Sequence, residues 1–471
     1  MGRTILLDHN SVNNARIKYL TDFKNSIPFE IGLLVGQICP DKDYVYALVP
    51  SPSQDPDQKM TLANMDDSWI SDHAKLTSGM LAGGLELNGI YIMCLTDQYN
   101  KMENRLGQLL SNMYKKMRYP QDLDLSDERA ILHIDAKTRK LTGKHFNMKD
   151  RVFTGRIAAV KFNPLIQSEN AVNVHKFTTF FPLDLTIDIS NNERNDTLST
   201  HVEKAVEKLI LSLNENLLSI DGTIVESSDP DAKPMDQLLM KFLGKTKVHQ
   251  VEFYKKLQNK QTGATFTDSS SAGHVTLHGT IHSITFVHAK EPLSTALKLI
   301  QRDIYNSVVT RIRLVIQDQA TNPLTKSVDV TEKTGHIQLP KRVYLPLFGA
   351  NDEQTSTLAH SQMASDYLFE DETKEDSLSR WEEMFSLKAV SEEEKKTESV
   401  ETIPIREKPK KVEKVVEREK KITPSRTIDT TTDGPSDRHP IPKNAGNRLT
   451  LPLIIVAVLF LILAFFVQST E

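Results

Sequence analysis

Cysteine is scarce in this chain: its 471 residues include only two, Cys39 and Cys94. Two cysteines cannot build a disulfide framework or a cysteine-based zinc site. Their scarcity predicts a protein of a reducing compartment. The 58 basic residues are balanced by 62 acidic ones and form no stripe of the kind that binds nucleic acid. We therefore expect no nucleic-acid partner.

Common catalytic motifs are also missing. The sequence has no Gly-x-Gly-x-x-Gly loop, no Walker A loop and no His-Glu-x-x-His helix. Four histidines lie at even spacing, namely His274, His278, His282 and His288. On a strand they would share one face, but positions four residues apart are about 13 Å from each other, too far for one metal ion. We therefore predict a solvated strand face, and neither a metal nor a cofactor.

The longest apolar run lies near the C-terminus, where the 19 residues 449–467 include no charged side chain. As a helix this run extends about 28 Å, close to the roughly 30 Å hydrocarbon core of a bilayer. The alternative is a buried core helix, which is rarely apolar on every face. We predict a transmembrane anchor that includes Leu449, Leu453, Ile455, Phe460, Phe465 and Val467.

The charges around this run predict its orientation. Lys443 and Arg448 precede it, and no basic residue follows it. The positive-inside rule then places the N-terminal part in the cytosol. The first residues fit neither a signal peptide nor a myristoylation site. We expect a tail-anchored, single-pass protein of the endoplasmic reticulum or cytoplasmic vesicles, with the mitochondrial outer membrane as the alternative.

Residues 351–448 are polar and predict a disordered, charged linker. One apolar island, residues 378–387, interrupts it. Leu378, Trp381, Met384 and Phe385 would lie on one face of a short helix. Two interpretations stay open: a helix that enters a groove on a partner, or a helix that docks back onto the folded part.

The rest of the chain alternates strands with helices, which predicts an α+β fold with two α/β units, 1–150 and 151–350. The predicted strands are 31–36, 44–49, 85–95, 131–134, 152–162, 177–189, 275–287 and 343–347. The predicted helices are 66–78, 97–117, 201–218 and 293–312. A turn at 40–43 joins the first two strands as a hairpin. Thr96 or Asp97 is expected to cap the second helix, and Thr200 with Glu203 the third.

Residues 29–36 and 83–92, with a strand and a helix between them, resemble the MPN fold of the JAMM type. In active members, the resemblance implies a zinc site built from a glutamate before the first strand and histidines after the third. Here Phe29 stands at the glutamate position, Glu30 is displaced by one residue, and residues 90–94, directly after Gly89, include no histidine. The resemblance therefore implies a non-catalytic MPN-like unit.

An enzyme is the competing hypothesis, as a divergent isopeptidase or another hydrolase. Its best candidates for catalysis are Glu30, Asp67 and His73. These residues have no recognised spacing, so we expect a protein that is not an enzyme.

Several stretches together resemble the odorant response abnormal protein 4 family: 1–4, 32–37, 69–74, 83–85, 298–309, 342–347 and the apolar run 449–467. The resemblance implies a membrane adaptor for folding, sorting and trafficking of a subset of odorant G-protein-coupled receptors to the cilia of chemosensory neurons, in olfaction and chemotaxis. It also implies an alternative, an endoplasmic-reticulum adaptor that recruits the ubiquitin-fold-modifier-specific protease. The expected partners are seven-transmembrane chemosensory receptors, that protease and membrane lipid.

Overall fold

The structure is a computed structural model of the chain, and its described residues all lie within one compact unit, Met1–Glu407. The described residues are 3–8, 29–55, 57–58, 60–117, 123–150, 153–163, 174–190, 196–213, 216–225, 237–244, 248–254, 271–321, 339–346 and 363–385.

Seven strands form a closed barrel. They are β1 (Thr4–Asp8), β2 (Glu30–Ile38), β3 (Lys42–Pro50), β4 (Glu86–Cys94), β5 (Glu128–Asp135), β6 (Leu141–Asn147) and β7 (Arg156–Asn163). The order is β1-β3-β2-β4-β5-β6-β7, and β1 closes the barrel by pairing in parallel with β3 and β7. Side chains such as Leu34, Tyr91 and Leu132 fill the interior. The barrel therefore extends past residue 150, where the sequence predicts a boundary between units.

Two helices, α1 (Asp67–Gly79) and α2 (Thr96–Lys116), follow β3 and β4 in the chain, and their apolar residues pack into one buried cluster with those of β2 and β4. The N-terminus of α1 is capped by Asp66, whose carboxylate accepts from two backbone N–H groups. The predicted cap of α2 is wrong. The residue before this helix is Leu95, whose N–H donates to Gln98 at 3.1 Å, while the Thr96 hydroxyl donates to Asp135 at 2.6 Å.

A second sheet has the order β10-β9-β11-β8-β12. Its strands are β8 (Val174–Ser190), β9 (Leu217–Ile220), β10 (Thr223–Val225), β11 (Val248–Tyr254) and β12 (Ser271–His288). The helices of this part are α3 (Leu198–Leu213), α4 (Leu239–Phe242) and α5 (Leu293–Thr321). The apolar stripes of α3 and α5 cover one face of the sheet, where Val206 and Ile304 join Phe181 and Leu277 in a second core.

The predicted cap of α3 lies three residues too late. The side chain of Thr197 accepts from the N–H of Thr200 at 3.3 Å, so Thr197 is the capping residue. Glu203 instead accepts from Ser199 and pairs with Arg313. Because α3 begins at Leu198, Thr200 and Glu203 lie within it.

The histidine face of β12 also differs from the prediction. His274 is exposed, but His282 and His288 are buried. The ring of His282 stacks on Phe180 with centroids 4.5 Å apart, and the ring of His288 stacks on Tyr44 of the barrel at 3.9 Å. A solvated face is wrong for this end of the strand because Phe180 covers His282 and Tyr44 of the barrel covers His288.

The remaining elements are β13 (Lys341–Pro346), β14 (Met363–Leu368) and α6 (Lys374–Phe385). β13 and β14 form an antiparallel pair, and α6 follows them. Residues 363–385 are therefore folded, in contrast to the linker predicted from residue 351. The sequence pattern predicted a short helix at 378–387 but missed β14, because this strand lies among polar residues.

The predicted anchor 449–467, Lys443, Arg448 and the linker residues 386–448 lie outside the described residues. Within the described ranges, no helix combines the length and apolarity that a membrane crossing requires.

Candidate functional site

The barrel and the second sheet meet at a buried junction centred on Gln37 of β2, whose side chain bonds to the β12 backbone. Its amide nitrogen donates to the carbonyls of Gly84 and Phe286 at 3.0 and 2.9 Å, and its amide oxygen accepts from the N–H of His288 at 2.8 Å. One side chain thus satisfies three backbone groups that are buried from water.

Gly83 and Gly84 complete this junction. Gly83 exchanges backbone hydrogen bonds with Ile284 and Phe286 of β12 at 3.0 and 2.8 Å. Gly84 has φ +78°, and an added Cβ would lie only 1.8 Å from the carbonyl oxygen of Phe286. Glycine is required there by both the backbone conformation and the close approach of the two chains.

Two buried ion pairs hold α5 at the same junction. Asp303 accepts two bonds from Arg342 at 2.8 and 2.9 Å and a third from the Ser283 hydroxyl at 2.7 Å. Arg302 pairs with Glu86 of β4 at 2.8 Å. Burial alone would lower the pKa of Arg342, but the charge of Asp303 raises this pKa well above its ordinary value.

The junction explains the sequence stretches that carry the family resemblance. Runs 32–37, 83–85, 298–309 and 342–347 each contribute a residue to it. Sequence reasoning identified the stretches but missed the partners, above all Glu86 and Ser283. The available signal was a charged residue inside a predicted apolar strand, as with Glu86 in the strand 85–95.

The candidate catalytic residues each bond to a different part of the chain. Glu30 accepts from the Tyr91 hydroxyl, and Asp67 pairs with Arg105 at 2.8 Å. His73 lies 3.2 Å from the Ser51 hydroxyl. Each side chain therefore supports a local packing contact.

The bonds of His73 indicate which ring nitrogen carries the proton. Its Nε2 lies 3.0 Å from the carbonyl oxygen of Met384, which can only accept. Nε2 therefore carries the proton, and Nδ1 accepts from Ser51. Burial lowers the pKa of His73, which favours this neutral form.

The predicted motif residues of α6 lie on the barrel side of the molecule. Trp381 and Phe385 are 2 % and 1 % exposed, and they join the core that includes Ile70 and Ala74 of α1. Leu378 and Met384 pack against the same core and are half-buried. In the structure α6 is thus docked on the folded part.

Three buried histidines should make the stability depend on pH. Burial lowers the pKa of His73 and His133, and that of His288 to about 3. An unfolded histidine titrates near 6.5, so below that pH the unfolded chain binds more protons and the folded state loses stability. For His288 alone we expect a loss of about 2 kcal/mol at pH 5 relative to pH 7.5. Urea unfolding at the two pH values measures it.

Two variants identify the source of this pH dependence. His288→Phe keeps an aromatic ring beside Tyr44 but cannot titrate, so its loss between pH 7.5 and 5 should be smaller than that of the parent. His274→Gln changes an exposed histidine and should leave the loss unchanged. Equal losses in the parent and in His288→Phe would contradict the assignment.

Comparisons with known proteins agree with the resemblance. The family profile described as Odorant response abnormal 4-like matches residues 32–396. "Protein odr-4 homolog" of Mus musculus is 26% identical over 85% of this chain and 87% of its own length. The protein of the same name from Homo sapiens is 25% identical over 82% of this chain and 83% of its own length.

One solved structure, the crystal structure of UfSP from C. elegans, is 12% identical and has a TM-score of 0.38. The match covers 82% of this chain and 57% of that one. The family profile spans most of the chain, and the relatives align over most of their own lengths. This chain belongs to the Odorant response abnormal 4-like family.

Proposed function

We propose that this protein is a membrane-anchored adaptor for the folding, sorting and trafficking of a subset of odorant receptors to sensory cilia. Membership of the Odorant response abnormal 4-like family carries the proposal. The partners are seven-transmembrane chemosensory receptors in the membranes of the endoplasmic reticulum or of cytoplasmic vesicles.

The contacts of Glu30, Asp67 and His73 support a role without catalysis. A general acid or base must reach the proton that it transfers. His73 is instead 4 % exposed and is hydrogen-bonded to the carbonyl of Met384 in α6, and Asp67 pairs with Arg105. On this proposal the protein acts by binding partners with its surface and by being held at the membrane.

The apolar run 449–467 would hold the folded part at the membrane, with Lys443 and Arg448 on the cytosolic side of this run. A tether raises the effective concentration of the folded part at the membrane where receptors are made. Weak contacts with a receptor then suffice for delivery.

A second candidate function is recruitment of the ubiquitin-fold-modifier-specific protease to the endoplasmic reticulum. Its support is the placement of the two MPN-like stretches on β2 and β4, which pair antiparallel in the barrel, with α1 between them in the chain. On this proposal, the barrel is an inactive MPN-like unit that retains a surface for the protease.

Deletion of residues 449–467 from the full chain tests both candidates. We expect receptors to stay in the cell body, because the adaptor is no longer held at their membrane. Imaging of a tagged receptor in the cilium measures delivery, and fractionation measures how much protease is on membranes. An unrelated apolar segment of equal length should restore the lost activity. Full delivery by the truncated chain would rule out the tether mechanism.

The two readouts separate the candidates. Loss of receptor delivery with unchanged protease on membranes favours the receptor adaptor. Loss of the protease from membranes with normal receptor delivery favours the second candidate.

A further inference from the structure

The two edges of the second sheet differ in their protection against pairing with other strands. One edge is β10, which has only 3 residues. The other is β12, which has 18 and pairs along its length with β8. Natural sheets protect their edges with short strands, proline or charged side chains. Residues 274–281 of β12 include no proline, lysine, arginine or carboxylate. This edge therefore has none of these protective features.

The C-terminal half of the β12 edge is paired within the fold. Gly83 exchanges two backbone bonds with it, and the Tyr344 hydroxyl donates to the carbonyl of His282 and accepts from the N–H of Ile284. The even-numbered residues thus direct their N–H and C=O groups away from β8. The register with β8 is unbroken over 273–288, so the even-numbered residues of the other half do the same. They are His274, Thr276, His278 and Thr280.

This N-terminal half of the edge is able to accept another strand. Among the described residues, none is hydrogen-bonded to the outward backbone groups of these two histidines and two threonines. We propose that residues 274–280 form the contact between two copies of this chain, with β12 of one copy antiparallel to β12 of the other about a two-fold axis at Leu277. This proposal goes beyond the adaptor function and depends on neither receptors nor the membrane.

A two-fold axis at Leu277 makes the edge complementary to itself. His274 then lies opposite Thr280 of the second copy, and Thr276 lies opposite His278 of the second copy. All four outward residues exchange backbone bonds in this register. Each histidine faces a threonine, so no two histidines repel each other across the strands when they are protonated. Such a contact uses the same surface of both copies and closes as a dimer.

Neighbouring registers fit less well. An axis at His278 would place this histidine opposite its own copy and His274 opposite His282, whose carbonyl Tyr344 already binds. An axis at Thr276 would place His274 opposite His278. Both shifts bring histidines against histidines, so the alternation of histidine and threonine favours the axis at Leu277.

The other face of β12 is complementary in the same register. Gly279 has no side chain, and a pocket lies beside it between β12 and α5. The apolar part of its lining includes Ile281, Val308 and Leu339. Val275 of the second copy lies opposite Gly279, with its side chain on this face. Val275 is half-buried in a single copy, and pairing would bury it further.

The contact is short. Residues 274–280 extend over about 20 Å of strand. An interface of this length is smaller than a permanent dimer needs, so we expect a weak and reversible dimer.

Disulfide cross-linking of the full chain tests the contact and its register together. Differently tagged chains that carry His274→Cys or Thr280→Cys are purified in detergent, mixed and oxidised. Opposite residues of a hydrogen-bonded pair have Cα atoms about 5.5 Å apart, which a disulfide bridges. In either variant alone the new cysteines would be about 20 Å apart. We expect at least about tenfold more cross-linked dimer in the mixture. Cys39 and Cys94 are buried and do not compete.

Sedimentation equilibrium of the full chain in detergent measures the affinity. We expect a monomer–dimer equilibrium that Thr276→Pro weakens at least about tenfold. Proline removes an outward N–H that pairing needs, and the ladder with β8 uses the odd-numbered residues, so the fold should tolerate it. Thr186→Ala is the matched control, since Thr186 lies directly across from Thr276 on β8 and away from the edge. It should leave the dissociation constant unchanged.

Three outcomes would overturn the proposal. One is a chain that stays monomeric at every concentration that sedimentation reaches. Another is a dimer that Thr276→Pro leaves unchanged, because its contact lies elsewhere. The third is a disulfide that forms equally well in each cysteine variant alone, since random encounter needs no register. If Thr276→Pro does not fold, the cross-linking decides, because His274 is exposed and Thr280 is half-buried.

Discussion

Replacement of Asp303 by alanine is expected to lower the free energy of unfolding by about 3–5 kcal/mol. The change removes both bonds to the guanidinium of Arg342, which is 1 % exposed and would be left as an uncompensated charge. It also removes the acceptor of the Ser283 hydroxyl. Urea denaturation at neutral pH, followed by circular dichroism, measures the loss.

Two comparisons distinguish this cost from a general effect of lost charge. The double variant Asp303→Leu with Arg342→Met removes both charges and should be more stable than Asp303→Ala. Asp196 pairs with Lys204 at 3.1 Å on the surface, with both side chains about half exposed. Asp196→Ala should therefore cost less than about 1 kcal/mol. If the two alanine variants cost the same, the buried pair does not hold the junction.

Local sequence patterns predicted those elements whose stability is encoded locally. The periodicity of 97–117 identified α2 within one residue at each end, and the turn at 40–43 correctly joined β2 and β3 as a hairpin. The predicted α+β class agrees with the mixed sheets and helices of the structure. Such features depend on neighbours within a few residues, so a single sequence contains their signal.

Other features depend on contacts between distant residues. The pairing of β1 with β7 joins positions more than 150 residues apart, and nothing near residue 5 predicts it. The burial of His288 follows from its ring contact with Tyr44, on another sheet. The stretches that carry the family resemblance include Gln37, Asp303 and Arg342, but only the structure shows that these residues meet at one junction. Tertiary contacts decide such positions, and local patterns do not.

Replacement of Gln37 by glutamate should also be severe, with a loss of more than about 3 kcal/mol at neutral pH. The two side chains have almost the same shape, so packing is preserved. The amide nitrogen that donates to Gly84 and Phe286 becomes an oxygen, which faces two carbonyl oxygens at about hydrogen-bond distance. The change also buries a negative charge in a site that is 1 % exposed. Urea denaturation at pH 7.5 measures the loss.

The pH dependence of this variant separates charge from geometry. A protonated carboxyl is neutral and can donate one hydrogen bond, so the variant should lose less stability relative to its parent at pH 5 than at pH 7.5. Gln37→Met also removes the donor but has no charge, and its difference from the parent should not change with pH. The exposed Gln108→Glu on α2 should shift stability by less than about 0.5 kcal/mol. If Gln37→Glu behaves like Gln108→Glu, the backbone bonds of Gly83 hold the junction by themselves and the side chain of Gln37 is dispensable.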